Sequence, residues 1–300
     1  MLKIITLGAA AGGGLPQWNC RCGSCTEAWE GRIAHQTQVS LAITANGDDY
    51  VLVNASPDIR AQIAATPALW PRAGHLRHSP IKSVVLVNGE VDAVAGLLSL
   101  REGQKFDLFA HPVVLDTLAQ NSIFNVLNPA NVSRNPLALD TPFTTAGLTI
   151  TAFTIPGKKA WYLEGEGYDP KTDISDGDTL GLTIRAAGKT VHIILACAAM
   201  TPELADRLRG ADLVFFDGTL WQDDEMITQG LAQKTGARMG HMAMSGHEGT
   251  IAALAPLDIG RKVFVHINNS NPVWCETAPE RAALTAAGWD IPAPGQEYSL

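Results

Sequence analysis

The sequence predicts a four-layer αββα sandwich, an α/β (α+β) protein in which two sheets pack face to face with helices outside. Three observations carry that expectation. Short Val/Ile-rich runs bounded by turn residues outnumber helical segments in both halves of the chain. The runs 180–185 and 190–195 are joined by Ala186-Ala187-Gly188-Lys189, a hairpin link that speaks against the alternative, a doubly wound sheet. No repeat and no separating linker divides the 300 residues, so 1–300 is read as one domain.

Taken in order, residues 3–7 open as a strand and Ala9–Pro16 follow as a Gly-rich turn. Strands 39–44 and 50–54 flank the turn Asn46-Gly47-Asp48. Ser56-Pro57-Asp58 starts a helix over 58–65, with Ser before Pro and an acid in the first turn. Strand 83–87, helix 94–100, strand 106–110 and helix 113–121 complete the first half. The second half has strand 148–154, the hairpin strands, helix 202–209, strand 213–217, helix 248–254 and strand 262–267. Helix 279–287 ends the pattern, stopped by Gly288. Residues 157–179 are polar, Gly/Asp-rich and too long for a plain connection, so they are expected to form an active-site loop.

Composition narrows the function classes. A 46% apolar fraction excludes disorder, and the 28 Gly and 17 Pro follow no period of a collagen-like or low-complexity chain. Lys+Arg 22 against Asp+Glu 30 gives a net charge of -8, which argues against nucleic acid or an anionic membrane as partner. No apolar run approaches the roughly 18 residues of a membrane span. The segment 1–8 has one Lys and a very short apolar core before glycines and Pro16; it reads as a strand, not a signal peptide, and the chain as cytoplasmic.

Cys20-Arg21-Cys22-Gly23-Ser24-Cys25 is the sharpest local signal, three of five cysteines within six positions. Three thiolates from one tight loop can converge on a tetrahedral ion, and a soft sulfur set selects zinc over calcium or magnesium. The fourth ligand must come from far along the chain, with His266 or a neighbouring side chain as candidate. Ala9–Pro16 lacks the Lys-Ser/Thr of a phosphate loop and is read as a tight backbone crossing, without a nucleotide site. Asn88, Glu90 and Asp92 leave an apolar strand at alternate positions and would point into one pocket, although Asp92 also reads as a helix N-cap. Asp217 ends another apolar strand, His241 lies in a Gly/Met-rich loop, and His266 closes a strand beside several amides. His35, His75, His78 and His111 are read as surface or turn residues.

In this order the pieces resemble the metallo-β-lactamase superfamily, whose His-x-His-x-Asp-His motif falls here on Asn88-x-Glu90-x-Asp92-Ala93 and whose final ligand falls on His266. The Cys-x-Cys-x-x-Cys loop is similar to the structural zinc loop of a phosphodiesterase branch. The blocks 16–22, 54–60, 96–103, 217–221 and 266–272 resemble, more specifically, the B-protein family of pyrroloquinoline quinone (PQQ) biosynthesis.

That resemblance implies a structural zinc on Cys20, Cys22 and Cys25. It further implies an Fe(II)-dependent oxygenase that hydroxylates the tyrosine ring of a cross-linked Glu–Tyr precursor. The alternative it carries is a non-catalytic carrier of PQQ or its precursor toward the periplasm. Asp92, His241, His266 and Asp217 are the expected catalytic residues, with Glu90 as a further metal ligand and Arg60, Arg101 and Lys158 as grips for substrate carboxylates. Expected partners are PQQ or its precursor, with a second copy of the chain and other PQQ biosynthesis proteins as candidates, and no membrane insertion. A two-zinc hydrolase is not expected. Asn88 and Glu90 replace the leading His residues, Ala93 removes another imidazole, and the bridging Asp near Leu195-Ala196-Cys197 is missing.

Overall fold

The computed structural model describes residues 1–165 and 177–300. Among them, the first half supplies β1 (Lys3–Gly8), β2 (Ser40–Thr44), β3 (Tyr50–Val53), β4 (Ile81–Val85), β5 (Phe106–Ala110) and β6 (Val132–Pro136). The second supplies β7 (Pro142–Thr145), β8 (Leu148–Thr154), β9 (Leu180–Ala186), β10 (Lys189–Ile194), β11 (Leu213–Asp217), β12 (Arg261–Val265) and β13 (Trp289–Asp290), before β14 (Glu297–Ser299) returns to the first sheet. One sheet runs β14-β1-β2-β3-β4-β5-β6 and the other β13-β12-β11-β10-β9-β8-β7. Strands β3 to β6 run parallel to one another, as do β10 to β13, and the remaining pairs are antiparallel. The two halves thus share a plan that no sequence repeat announces.

Period-two alternation makes the layers. Ile4, Leu41, Ile43, Val51, Val53 and Val85 point between the sheets, where they meet Ile150, Leu182, Ile193 and Phe215. Their neighbours Ile5, Ala42, Leu52 and Val84 face outward beneath Ile59, Leu97 and Leu118 of the covering helical segments. Because both faces are buried, the central strands are apolar at nearly every position. Phe215 stands edge-on to Tyr298 at 5.2 Å and ties the two sheets together.

The expected helix over 94–100 starts earlier, as an α turn at Val91–Val94 that tightens into a 3-10 segment at Ala95–Leu100. The cause is a backbone contact. The Gly96 amide donates to the Ala55 carbonyl at 2.8 Å, and a Cβ at position 96 would lie 2.1 Å from the Ser56 carbonyl oxygen. Asp92 therefore sits inside the first turn and caps nothing, which frees its carboxylate. The strands β6, β7, β13 and β14 and the helices Gly23–Trp29, Glu225–Thr228 and Gly236–Met239 were not expected from the sequence.

His192 is a buried imidazole in β10, opposite Thr183, whose hydroxyl lies 3.1 Å from its Nδ1. Burial, then the charges of Arg185 and Arg207, push its pKa down to about 4. The unfolded chain takes up this proton below about pH 6.5 and the native chain only below about 4, so native stability falls as pH drops through that window. Measured by urea unfolding, the stability gap between wild type and His192→Gln should narrow by about 2–3 kcal/mol from pH 7 to pH 4.5. A gap independent of pH would remove His192 as the cause.

Candidate metal centre

The carboxyl ends of the parallel strands meet at one cavity of about 440 Å³. Asp217 ends β11 and is fully buried. Its Oδ2 accepts the Cys197 amide at 2.9 Å and lies 2.7 Å from His241 Nδ1. Its Oδ1 accepts the Thr219 amide at 3.0 Å and the Thr219 hydroxyl at 2.7 Å. That hydroxyl is the hub of the floor, 2.8 Å from His266 Nδ1 and 3.1 Å from His241 Nδ1. The two imidazoles stack at 5.1 Å between centroids. His266 follows β12 in the left-handed region at φ 55, a conformation that costs energy for a non-glycine residue and turns its ring across the strand end.

From the opposite sheet, Asp92 Oδ2 reaches His266 Nε2 at 3.1 Å. Burial opposes charge on Asp92, but the hydrogen bond and charge of His266, with His241 behind, hold its carboxyl below the usual range. His266 moves the other way: burial lowers its pKa, and Asp92, then Asp217 and Glu90, outweigh that and raise it. One ligand atom each of Asp217, His241 and His266 lies within 4.8 Å of the others, and two imidazoles with a carboxylate suit a divalent transition metal.

A second cluster is separate. The sulfurs of Cys20, Cys22 and Cys25 converge within the same limit of 4.8 Å. Asn269 lies over them, Nδ2 at 3.3 Å from Cys20, 3.6 Å from Cys22 and 3.3 Å from Cys25. Half a turn of that amide puts Oδ1, a ligand atom, in the same place. Burial opposes a thiolate on Cys20, but hydrogen bonds from Cys22, Cys25 and Asn269 lower its pKa. Cys22 is pushed up to about 12, chiefly by burial. A cation at the centre would relieve that conflict among three convergent sulfurs.

A profile of the beta-lactamase superfamily domain matches residues 49–267. The chain is 57% identical to the coenzyme PQQ synthesis protein B of Rhodopseudomonas palustris (strain BisB5) and 54% identical to that of Bradyrhizobium diazoefficiens, with 100% of each chain covered in both cases. This chain belongs to the coenzyme PQQ synthesis protein B family. The crystal structure of Zn(2+)-bound PqqB from Methylobacterium extorquens is 47% identical and has a TM-score of 0.95, covering 99% of this chain and 100% of that one. A diphosphatase from the PhnP family, 17% identical with a TM-score of 0.69 over 100% of this chain and 98% of that one, shares the fold. The metallo-β-lactamase fold expected for a PQQ synthesis B chain is therefore present. Among the described residues no helix is long and apolar enough to cross a membrane.

In this PQQ synthesis B chain the motif positions part company. Asn88, Glu90 and Asp92 all line the cavity, but only Asp92 turns to the imidazoles. Glu90, expected as a metal ligand, is instead bound to the Lys158 ammonium and accepts the Trp161 amide at 3.0 Å. Lys158, expected to grip substrate, is shared between Glu90 and Glu164, the latter at 3.2 Å. Arg60 and Arg101 do not line the cavity. Arg60 is exposed on the helix Ile59–Ala65, and Arg101 is an exposed side chain bound to the Leu98 carbonyl at 2.6 Å. His266, a candidate fourth ligand for the thiolates, has its nitrogens on Thr219 and Asp92 instead.

The other expectations sort as plainly. Ala93 is buried in the outer apolar cluster and does not line the cavity. Beside the end of β10, where no carboxylate stands, Asp217 of the neighbouring strand accepts the Cys197 amide at 2.9 Å. Gly12 and Gly13 of the N-terminal turn form part of the cavity wall, where the Ala11 amide is bound to the Ile267 carbonyl at 2.8 Å. Of the loop 157–179, Lys158, Trp161 and Thr179 line the cavity, while 166–176 lie outside the described residues. Thr219 and Asn269 are the site residues that sequence reasoning missed. Their signal was position, two residues after Asp217 and three after His266.

Proposed function

We propose that this chain carries out an oxygen-dependent step of PQQ maturation, hydroxylating the tyrosine ring of a cross-linked Glu–Tyr precursor, with Fe(II) held by His241, His266 and the carboxylates of Asp217 and Asp92. The observation that carries the reading is the convergence of two imidazoles and two carboxylates on one cavity floor. Bound Fe(II) would supply oxygen activation at open coordination positions. One oxygen atom enters the ring and the other leaves as water, with two electrons and two protons from a small reductant such as ascorbate. The chain's own residues set the geometry. Thr219 orients both imidazoles through their Nδ1 atoms, Asp217 is fixed by two backbone amides, and Glu90 with Lys158 holds the loop that overhangs the floor. At the second cluster we propose zinc on Cys20, Cys22 and Cys25 with Asn269 Oδ1 as fourth ligand, supported by the converging sulfurs and the overlying amide.

Anaerobic loading with Fe(II), exposure to labelled O2 with ascorbate, and mass spectrometry of the Glu–Tyr precursor test the reading. The expected result is labelled oxygen in the ring with Fe(II) and none with zinc alone. Retained precursor binding without oxygen gain would favour the carrier.

A further inference from the structure

The cavity has two chemically different ends. Its floor is ionic, and its mouth is bordered by the apolar side chains Trp161, Val91 and Met239. Trp161 is 69% exposed and Val91 57%. Large apolar groups left open at the rim of a polar cavity mark a surface that gains by being covered.

The segment carrying the indole is nevertheless fastened. The Trp161 amide donates to Glu90 Oε1 at 3.0 Å, and the next residue, Tyr162, donates its hydroxyl to the Gly89 carbonyl at 2.7 Å. Lys158 joins the same Glu90 carboxylate to Glu164, and Glu164 is also held by Arg238 at 3.4 Å and Lys234 at 3.6 Å. An exposed indole on a pinned backbone has lost much of the ordering entropy that binding would otherwise have to overcome.

We infer that Trp161 is the aromatic platform of this cavity: the flat conjugated ring of a ligand lies against the indole, with Val91 and Met239 completing the rim, while its polar end reaches the floor at Asp92, His241 and His266. Glu90 acts as the positioning residue that holds the platform. This rests on the PQQ-maturation reading only in naming the ring as that of the quinone or its tyrosine-derived precursor. Charge does not select such a ligand at the mouth, because the Lys158 ammonium is already shared between two carboxylates. Shape and π-character do.

Equilibrium dialysis of PQQ, a flat tricarboxylate, against the full metal-loaded chain tests the platform. Trp161→Ala should weaken binding roughly tenfold, near the upper end of an aromatic stacking contribution. Trp161→Leu, apolar without a π-face, should behave like Trp161→Ala, whereas Trp161→Phe should recover most of the affinity. Tricarballylate, a saturated tricarboxylate, should not displace PQQ. Wild-type affinity in Trp161→Ala or Trp161→Leu, or displacement by tricarballylate at equal concentration, would overturn the platform and leave the maturation reading standing. A wild-type chain that binds no PQQ would overturn the platform as well, while the labelled-oxygen experiment on the Glu–Tyr precursor decides the maturation reading separately. Unchanged circular dichroism and metal content, expected for an exposed side chain, exclude misfolding as the cause.

Discussion

Cys25→Ser should strip the N-terminal loop of its metal and lower the melting temperature by about 7 °C, equivalent to about 4–5 kcal/mol in a domain of this size. The cluster joins distant parts of the chain. Ser24 Oγ donates to the Asn271 carbonyl at 3.1 Å, Cys22 Sγ lies 3.5 Å from the Asn269 carbonyl, and the Asn269 amide overlies all three sulfurs. Structural zinc in small peptides contributes on the order of 10–16 kcal/mol of apparent binding free energy, so losing only a third of that is a conservative expectation in a chain with two other sources of core. The damage should reach the cavity too, since the segment held by the thiolates begins three residues after His266. Elemental analysis and a thermal melt, compared with chelator-treated wild type, decide the matter. Full zinc content with an unchanged melt in Cys25→Ser would mean that the thiols hold no structural metal.

Thr219→Val should weaken metal binding at the cavity floor by about 10–100-fold, the usual effect of removing a partner that orients metal-binding imidazoles. Valine keeps the shape but deletes the hydroxyl that lies within 3.1 Å of Asp217, His241 and His266. Asp217 Oδ1 would then keep the Thr219 amide and lose its shorter hydrogen bond, in a place no solvent reaches. Leaving a buried charged acceptor short of a donor costs about 1–3 kcal/mol, so urea unfolding should fall as well. Thr219→Ser restores the hydroxyl and should recover most of both losses. Anaerobic Fe(II) titration of chains whose thiolate cluster is already filled isolates the floor. Wild-type affinity in Thr219→Val would show that the imidazoles hold their orientation without the hydroxyl.

The strands that could be read from the sequence are those in the middle of the sheets. Residues such as Val84 and Val85 are buried on opposite faces, so the run is uniformly apolar and stands out. β6, with Ser133, Arg134 and Asn135, and β7, with its Pro and Thr residues, are polar edge strands that look like loops in isolation. β13 has two residues and β14 three, and both depend on partners remote in sequence. In the site, Asp217 and His266 were readable because strand ends place side chains in clefts, and Asp92 because it opens a helix just beyond an apolar strand. Thr219 was not, because a hydroxyl carries no ligand signature until its neighbours are known. Arg60 and Arg101 misled for a related reason: a cation beside a motif in sequence need not face the cavity, and Arg101 folds back on its own 3-10 segment. Glu90 lies where expected but spends its charge on Lys158, a contact 68 residues away in sequence.

β14 pairs with β1, and Leu2 and Leu300 exchange backbone hydrogen bonds at 3.3 and 2.9 Å. During synthesis, therefore, the earliest strand must wait for the latest one before that edge of its sheet can form. The thiol loop waits as well, because Asn269 and Asn271 emerge from the ribosome some 240 residues after the cysteines. Until then the three sulfurs have no lid, and any ion they hold is open to exchange with cellular thiols. A metal on the proposed thiolate site would therefore be closed in late, once Asn269 and Asn271 have been made.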